Sequence, residues 1–299
     1  MKRPIALVGP GRVGCAIAKR LYQAGYPITA VVGRDQQKAV AACEFIGCSA
    51  GCATTELDGL ATAGIILLAV PDDKIAALAK LLQTLNDCSA DTTFIHFSGL
   101  HPAAIMRQHS SSAQLLSLHP LLPFADAHSG FVNLEHCPCA LEGDSAVLAL
   151  GEQLVRSIGG QSFMIKGEQK ALYHTAASIA SNFLVTLIAW AQGLLSHCEI
   201  DNPESLALLM PLVQASVDNI KVKGPEQALT GPIVRGDKDT LRKHLEELKK
   251  TAPGQRETYL KLARMTLDLA EKSGRLDNSS ASNLLGVLES AERLQMEEK

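Results

Sequence analysis

The chain has 299 residues, a formal net charge of −3 and a pI near 6.3. Its length suits two domains, and a hydrophobic fraction of 46% is enough to build buried cores. The lack of excess basic charge and an aromatic fraction of only 4% argue against a nucleic-acid-binding surface. The uninterrupted apolar stretches 65–70 and 183–191 are too short to cross a bilayer, and the N-terminus leads directly into a strand. We therefore expect a cytoplasmic protein without a membrane partner.

A glycine-rich turn follows the first predicted strand. The apolar run 4–8 leads into Gly-Pro-Gly-Arg-Val-Gly at 9–14, with a helix predicted to follow at 13–24 and a second strand at 28–32. A strand, a turn with this glycine spacing and a helix form the signature of a dinucleotide-binding fold. A plain glycine turn is the alternative, and this context disfavours it.

Each glycine of this turn has a defined expected role. Gly9 allows the sharp turn, Gly11 allows the backbone to approach a pyrophosphate, and Gly14 allows the helix to pack close to the sheet. The start of the helix, at Arg12 and Val13, would then face the phosphates with free N–H groups and the positive end of its dipole.

The residues after the second strand indicate which dinucleotide is bound. An NAD enzyme usually has an acidic residue there, hydrogen-bonded to the ribose 2′-hydroxyl. Here Gly33 and Arg34 occupy that place, and a guanidinium can bind a 2′-phosphate in a bidentate manner. Asp35 is better explained as the N-cap of the next helix. The sequence therefore predicts NADP rather than NAD, with a solvated surface arginine as the alternative for Arg34.

The first half of the chain alternates strands and helices. After the second strand we predict a helix at 35–47, a weak strand at 49–53, a strand at 65–70, a helix at 74–85, a strand at 93–97, a short helix at 102–108, strands at 115–118 and 139–142, a helix at 144–158 and a strand at 162–165. Repeated βα units imply an α/β class fold with a doubly wound Rossmann-type sheet. The predicted NADP-binding domain covers 1–166.

Polar residues fall at the expected carboxyl ends of several strands, where ligands bind in such sheets. Val70, Pro71 and Asp72 end one strand. Ser98 and Gly99 follow the next strand, where they could offer a hydroxyl and a backbone N–H to a nicotinamide or substrate. His96 lies within its strand and is better explained as a satisfied core histidine. His119 lies nearer the rim, so it has a chance of reaching the site.

From residue 167 onward only helical periodicity is visible. The predicted helices cover 168–198, 203–221, 237–250, 255–273 and 280–295, which gives an all-α C-terminal domain over 167–299. These helices carry more apolar surface than one small bundle covers, which predicts a two-fold homodimer through this domain. A monomer whose Rossmann domain covers the surface is the alternative.

The first of these helices carries a polar stripe. At 100° per residue Lys170, His174 and Ser181 share one narrow face, with Ser178 and Asn182 beside it. Polar side chains on an otherwise apolar helix are costly to bury unless they face a water-filled cleft or hydrogen-bond to one another. Lys170 or His174 could protonate the atom formed when hydride reaches a C=O or C=N carbon, with Asn182 orienting the substrate. An interhelical hydrogen-bond network is the alternative.

A shaped loop at 229–237 has the sequence Leu-Thr-Gly-Pro-Ile-Val-Arg-Gly-Asp. It would present Arg235 to an anionic substrate or to a domain interface, and Asp237 would cap the next helix.

The eight cysteines are read as reduced thiols. Six are scattered, mostly among small apolar residues: Cys15, Cys43, Cys48, Cys52, Cys88 and Cys198. Cys137 and Cys139 follow His136 but lack the two-residue spacing of a zinc knuckle, so we expect no metal site.

The whole chain resembles the Rossmann-like proteins related to deazaflavin-linked NADP oxidoreductases, within the wider group of 6-phosphogluconate, pyrroline-carboxylate and ketopantoate reductases. The motifs that carry the resemblance are GPGRVG, AVPDD, HFSG, LHPL, the Lys-Ala-Leu-Tyr-His helix and LTGPIVRGD. It implies NADP binding at the glycine turn, a C-terminal domain like that of 6-phosphogluconate dehydrogenase, and dimerisation through the helices. In the β-hydroxyacid dehydrogenases of this group a catalytic lysine precedes an asparagine by four residues. Lys170 matches that lysine, whereas His174 replaces the asparagine.

These observations predict an NADPH-linked reductase that transfers hydride to a small carbonyl or imine compound. The alternative is a regulatory protein that binds NADP(H) without turnover, since both need the same glycine turn. The fold gives no basis for choosing the substrate.

Overall fold

The computed structural model describes residues 2–58, 60–85, 90–108 and 111–297. The chain divides into two compact units, Met1–Phe183 and Leu184–Lys299. The predicted fold class is confirmed, because a Rossmann-type α/β sheet precedes an all-helical region. Residues 167–183, assigned above to the helical domain, group with the first unit. The assignment of NADP binding to residues 1–166 and of dimerisation to residues 167–299 stays a prediction.

One eight-stranded sheet forms the centre of the first unit. Its strands are β1 (Ile5–Val8), β2 (Ile28–Val32), β3 (Ala53–Thr54), β4 (Ile65–Leu68), β5 (Thr93–His96), β6 (Gln114–Pro120), β7 (Pro138–Gly143) and β8 (Gln161–Met164). They lie side by side in the order β3-β2-β1-β4-β5-β6-β7-β8. Because the order reverses at β1, the carboxyl ends of β1 and β4 border the crevice where ligands bind in doubly wound sheets.

Helices cover both faces of this sheet. They are α1 (Arg12–Gln23), α2 (Gln36–Ile46), α3 (Ile75–Leu85), α4 (Ala127–Asn133), α5 (Leu148–Ser157) and α6 (Lys170–Ser178). The predicted helix at 102–108 is a short 3-10 turn, Ala103–Met106. Alternate residues of β1 enter two separate cores: Ile5 and Leu7 pack on one face, and Ala6 and Val8 on the other. This explains why the strand is apolar throughout rather than alternating.

The sheet is not wholly parallel. β1 to β6 pair in parallel, whereas β7 runs antiparallel to β6, with Leu118 opposite Leu141. β8 is parallel to β7 and is exposed along its length at the sheet edge. Apolar runs in a sequence identify strands but not their directions, so repeated βα units alone could not reveal this reversal.

The second unit is helical throughout its described residues. Its helices are α7 (Leu184–Ser196), α8 (Glu204–Ala228), α9 (Lys238–Thr251), α10 (Pro253–Lys272) and α11 (Asn278–Glu297). The last three share a core that includes Leu241, Leu260 and Leu284. Asp237 caps α9 by accepting a hydrogen bond from the Thr240 N–H at 3.0 Å, as predicted.

The long helix predicted at 168–198 is interrupted. A π-helical turn, Ile179–Phe183, separates α6 from α7. A π turn holds more residues than an α-helical turn, so it rotates every later side chain away from a 100° projection. Ser181 and Asn182 lie inside this turn. They therefore do not extend the face of Lys170 and His174 as the ideal helix predicted.

One apolar helical stretch, Gly167–Ser196, is long and apolar enough to cross a membrane by length and composition. We predicted stretches too short to cross a bilayer from uninterrupted apolar runs alone. The mean hydropathy of this longer helical stretch, which includes polar residues, is high enough. Length and composition of a single helix are weak evidence for a membrane span, because core helices of soluble proteins share them.

Candidate functional site

The glycine turn packs tightly on the end of β4. Gly9 has a φ of +89°, and a Cβ there would lie 2.5 Å from the carbonyl oxygen of Ala69. A Cβ on Gly14 would lie 2.7 Å from the Ala69 Cβ. Only glycine fits these two positions without displacing backbone, which is the structural reason for the spacing read in the sequence.

The third glycine is open instead of crowded. A Cβ on Gly11 would meet no atom within 4 Å. Gly11 is the extended N-cap of α1, whose first turn has no side-chain cap and no acidic residue. Arg12, the first helical residue, is exposed and has no hydrogen bond or ion pair among the residues described. Uncapped N–H groups, open space and one cation fit a bound phosphate.

The end of β2 is followed by Gly33, Arg34 and Asp35. The Asp35 carboxylate caps α2, because its Oδ1 accepts hydrogen bonds from the N–H groups of Gln37 at 2.9 Å and Lys38 at 3.1 Å. Asp35 is thus engaged in capping, as predicted. The N–H of the buried Gly33 donates to the Thr54 carbonyl at 3.0 Å. Arg34 is exposed and makes no hydrogen bond or ion pair in the described part of the chain, so its guanidinium is available to an anion.

Ser98 organises the loop after β5. Its hydroxyl donates to Asp72 Oδ2 at 2.7 Å and accepts from the N–H groups of Leu100 at 3.1 Å and His101 at 3.0 Å. The hydroxyl has one hydrogen, which is already donated. Ser98 therefore fixes this loop against the one that follows Val70 and Pro71, rather than presenting a hydroxyl to a ligand. The loops themselves lie at the carboxyl ends of the neighbouring strands β4 and β5.

His96 is buried beneath this loop, as predicted, but it is not fully satisfied, because its Nε2 has no hydrogen-bond partner among the described atoms. It has no exposed surface, and its Nδ1 accepts a hydrogen bond from the Ser98 N–H at 3.1 Å. Burial, aided by the charge of Lys170, lowers the pKa of His96 to about 4. His96 is therefore neutral at physiological pH.

Lys170 is a fully buried cation at the start of α6. Its Nζ donates hydrogen bonds to the Ser98 carbonyl at 2.9 Å and to the Ser117 hydroxyl at 2.6 Å, which ties α6 to the loop after β5 and to the middle of β6. Burial lowers the pKa of Lys170 to about 8, although the negative charges of Glu142 and Asp72 oppose this change. The amine keeps its proton at neutral pH and can release it close to that range.

His119 lies beside this group at the end of β6. Its Nδ1 is 2.8 Å from the hydroxyl oxygen of Tyr173, on α6. Burial, with the nearby charge of Lys170, lowers the pKa of His119 to about 4, and burial raises the pKa of Tyr173 to about 12. At neutral pH this hydrogen bond joins a neutral imidazole to a neutral phenol. His119 therefore lies beside Lys170 and Tyr173. Its position in the sequence alone did not decide whether it reaches the site.

Gly99 separates two histidine rings. A Cβ there would lie 2.6 Å from His174 Nδ1 and 2.8 Å from His119 Nε2, so a side chain cannot be added without moving them. His174 Nδ1 is buried and has no hydrogen-bond partner among the described atoms. A buried ring nitrogen without a partner is costly, and at a site it is available to a ligand.

The structure thus brings together part of the predicted set. Lys170, His174, Ser98 and Gly99 form one cluster, and the glycine turn and Arg34 lie at the ends of β1 and β2 in the same unit. Asn182 is exposed in the π-helical turn. The 229–237 loop belongs to the second unit, where Arg235 is exposed.

Other members of the cluster escaped the sequence analysis. Ser117 and Glu142 lie within strands, where the pattern shows only that they are covered. Tyr173 stood inside the quoted motif Lys-Ala-Leu-Tyr-His, which was the only available signal. Asp72 was placed at the end of its strand, but its bond to Ser98 was not predicted. Their contacts depend on strand order, which the sequence did not give.

The cysteines are free wherever the structure describes them, and Cys88 lies outside the described residues. Burial raises the pKa of Cys15 to about 11 and that of Cys48 to about 12, so these thiols stay protonated at neutral pH. In the described part of the chain, no group of three His, Cys, Asp or Glu residues could hold a metal ion.

Two family models match the chain. Residues 4–96 match the family described as "NADP oxidoreductase coenzyme F420-dependent", and residues 137–266 match "Domain of unknown function (DUF2520)". The resemblance stated from the motifs is confirmed for the N-terminal family and for its combination with a helical C-terminal domain. A search of curated proteins found no match.

Solved structures share the fold over nearly their whole length. BF3122 from Bacteroides fragilis, which carries the name of an NADP oxidoreductase, is 22% identical, with a TM-score of 0.72 over 89% of this chain and 98% of its own. TM1727 from Thermotoga maritima is 27% identical, with a TM-score of 0.71 over 90% and 98%. A pyrroline-5-carboxylate reductase from Coxiella burnetii is 16% identical, with a TM-score of 0.55 over 98% and 99%.

Proposed function

We propose that this chain, whose residues 4–96 match the model of the coenzyme F420-dependent NADP oxidoreductases and whose residues 137–266 match DUF2520, is an NADPH-dependent reductase of small carbonyl or imine compounds. The observation that carries the proposal is the buried ammonium of Lys170. It contacts the loop after β5 and the middle of β6, in the unit that contains the glycine turn. A cation there, with a pKa of about 8, suits the stabilisation and protonation of a developing oxyanion or amide anion.

The cofactor side of the proposal rests on the first unit. Gly9 and Gly14 set the turn, Gly11 leaves space for the pyrophosphate, and the start of α1 at Arg12 and Val13 receives it. Arg34 would bind the 2′-phosphate, with Gly33 allowing close approach. The loops at Val70–Pro71 and Ser98–Gly99 would border the nicotinamide.

The bound nucleotide would supply a hydride, and the chain would supply the proton. Lys170 uses two of its three Nζ hydrogens on Ser98 and Ser117, which leaves one for a substrate oxygen or nitrogen. His174 is the other candidate donor, since its ring lies beside Gly99, the residue after Ser98. His119 is a poor acid at neutral pH, because its pKa of about 4 leaves it unprotonated.

A second candidate function has its own support. Lys170 has no exposed surface, and the hydroxyl of Ser98 is saturated by partners within the protein. Side chains whose hydrogen bonds are made within the protein can also serve only to stabilise the fold. A regulatory protein that binds NADP(H) without turnover therefore remains the competing proposal.

We further propose that the apolar helices are covered by a second copy of the chain. Large apolar side chains on α7 and α8 are exposed, including Val185 at 67%, Leu208 at 55% and Leu212 at 65%. Such surface marks an interface with a protein or a membrane. The helical stretch that could span a membrane begins at α6, which Lys170 ties to the sheet of the first unit. This favours a homodimer over a membrane partner and agrees with the expected cytoplasmic location.

The binding step is tested by titrating the protein with NADPH and with NADH while nucleotide fluorescence is followed. Saturable binding with tighter affinity for NADPH supports the proposal. Failure of both nucleotides to bind would exclude the reductase and the regulatory function together.

A further inference from the structure

A glutamate leaves the sheet on the face where Lys170 is buried. Glu142, on β7, stands directly opposite Ser117 of β6 in the antiparallel pair. The side chains of two such residues project from the same face of the sheet, with their Cβ atoms about 5 Å apart. Ser117 accepts its hydrogen bond from Lys170 Nζ, at 2.6 Å, on this face. Glu142 is therefore the cross-strand neighbour of the residue that Lys170 contacts.

Two contacts fix the carboxylate of Glu142 beside α6. Its Oε2 accepts a hydrogen bond from the N–H of Ala103 at 2.7 Å. A Cβ on Gly167, in the turn that leads into α6, would lie 3.5 Å from Glu142 Oε1. The carboxylate thus contacts both the turn that begins at Ala103 and the start of the segment that carries Lys170. Because Glu142 is half-buried, water and salt screen its charge less than they would at the surface.

The titratable groups around Lys170 come from four neighbouring strands or loops and from α6. They are Asp72 after β4, His96 on β5, His119 on β6, Glu142 on β7, and Tyr173 and His174 on α6 itself. Within this set only Glu142 and Asp72 carry negative charge. Their charges oppose the effect of burial on the pKa of Lys170, and Glu142 contributes more than Asp72.

The two carboxylates are held in different ways. Asp72 follows β4, and its Oδ2 accepts the hydroxyl hydrogen of Ser98 at 2.7 Å. Glu142 lies within a strand of the sheet. Among the described residues neither carboxylate forms a direct ion pair with Lys170, so their charges act through space. Glu142 therefore supplies a fixed counter-charge without using the third hydrogen of the ammonium group, which stays available to a substrate.

We propose that Glu142 is a positioning residue whose fixed negative charge keeps Lys170 protonated and thereby sets the upper pH limit for proton donation. The link to catalysis rests on the proposed function, whereas the charge of Lys170 can be measured without a substrate. In each turnover an N–H bond of Lys170 would break as an O–H or N–H bond forms on the reduced substrate. Water then returns a proton to the neutral amine, and the charge of Glu142 favours this return.

The test follows the lysine Cε resonances of the isotope-labelled full-length protein by NMR as pH is raised, without ligands. The resonance that is missing from Lys170→Met identifies Lys170. We expect its midpoint near pH 8 in the wild type. In Glu142→Gln the midpoint should be lower by about one pH unit, because a nearby opposite charge favours the charged form by at least about that much. An unchanged midpoint in Glu142→Gln would overturn the inference.

Two substitutions at the same position separate charge from structure. Glu142→Gln keeps the length of the side chain and an oxygen that can accept from the Ala103 N–H, but it removes the charge. Glu142→Asp keeps the charge, but its shorter side chain withdraws from Ala103. We expect Glu142→Asp to titrate close to the wild type and Glu142→Gln to differ from it. The opposite pattern would show a purely structural role and contradict the inference.

Two further variants test whether position matters. Glu152→Gln removes a carboxylate from α5, where Glu152 pairs with Arg156 at 3.8 Å, and it should leave the midpoint of Lys170 unchanged. Asp72→Asn should lower the midpoint by less than Glu142→Gln does, because Glu142 has the larger effect on Lys170. An equal shift in Glu152→Gln would mean that net charge, and not Glu142, controls the amine.

The pH profile connects the titration with the reaction. For a compound that the wild type reduces, the alkaline limb of kcat/KM, which reports the free enzyme, should move to lower pH in Glu142→Gln by the same interval as the NMR midpoint. A limb that stays in place while the midpoint moves would contradict the role of Glu142 in proton donation. If no compound is reduced, the reductase proposal fails, and the NMR titration still decides whether Glu142 holds the charge of Lys170.

Discussion

The ammonium group of Lys170 donates a hydrogen bond to the hydroxyl of Ser117 across 2.6 Å, inside the protein and without exposed surface. A second bond, to the Ser98 carbonyl at 2.9 Å, means that this amine connects α6 both to the loop after β5 and to the middle of β6. The proposed proton transfer and the attachment of α6 to β5 and β6 therefore both involve the ammonium group of Lys170.

The first prediction concerns that proton. The rate of substrate reduction should be constant below a pH of about 8 and fall about tenfold per pH unit above it, because the donor form of Lys170 is lost as pH rises through its lowered pKa. Lys170→Met should lower kcat at least about a hundredfold and abolish this alkaline limb. Steady-state rates between pH 6 and about 10 measure both effects.

Two further variants separate the proton donor from a positioning residue. Lys170→Arg keeps a positive charge and hydrogen-bond donors but does not release its proton in this range, so it should remain inactive. Recovery of activity in Lys170→Arg would instead show that Lys170 only holds the loops. If His174→Gln abolishes reduction and Lys170→Met does not, the donor is His174.

The second prediction concerns stability at acidic pH. Because burial lowers the pKa of His96 to about 4 from 6.5, its contribution is complete above pH 6.5 and is lost as pH falls through 4. Between pH 7 and about 4.5 this histidine alone should remove roughly 2 to 3 kcal/mol from the free energy of unfolding. Urea denaturation at the two pH values measures the difference.

His96→Asn provides the comparison, because an amide oxygen can still accept from the Ser98 N–H but does not titrate. The variant should be less stable at pH 7 and show a smaller loss on acidification. His197→Asn, at an exposed histidine, should behave as wild type. An unchanged acid loss in His96→Asn would mean that other groups cause it.

Much of this arrangement could be read from the sequence, and the limits have physical causes. Gly9 and Gly14 were informative because backbone geometry forces their identity locally. Asp35 was assigned correctly because capping involves only the next three residues. Ser117 and Tyr173 were missed because their contacts cross strands whose order and direction the apolar pattern does not encode. The offset of Asn182 was missed because a π-helical turn leaves no periodic signal.

The third prediction addresses the choice of cofactor. Arg34→Ala should raise the Kd for NADPH at least about tenfold and leave that for NADH nearly unchanged, because only NADPH carries the 2′-phosphate that the guanidinium would bind. Fluorescence titration of both nucleotides measures this. Lys38→Ala, which removes an exposed charge from α2 without changing the end of β2, is the matched control.

A different substitution tests the pyrophosphate position. Gly11→Val should weaken NADPH and NADH alike, and it should fold normally because a Cβ there meets no atom within 4 Å. Equal losses of both nucleotides in Arg34→Ala, or normal binding by Gly11→Val, would contradict the proposed cofactor geometry.

The fourth prediction concerns assembly. Light scattering at micromolar concentration should give a mass near twice 31.8 kDa, since the exposed apolar faces of α7 and α8 need a cover. Replacing Leu208 and Leu212 by Glu should shift the protein towards monomer. A monomeric mass for the wild type would contradict the dimer.

The fifth prediction tests the central claim most directly. NADPH oxidation is followed while the protein is offered a panel of oxo-acids and cyclic imines, with Lys170→Met as the inactive comparison. The account predicts that at least one compound is reduced with equimolar consumption of NADPH by the wild type and not by the variant. Tight NADPH binding without consumption across the whole panel would contradict the reductase proposal and favour a regulatory NADP(H)-binding protein.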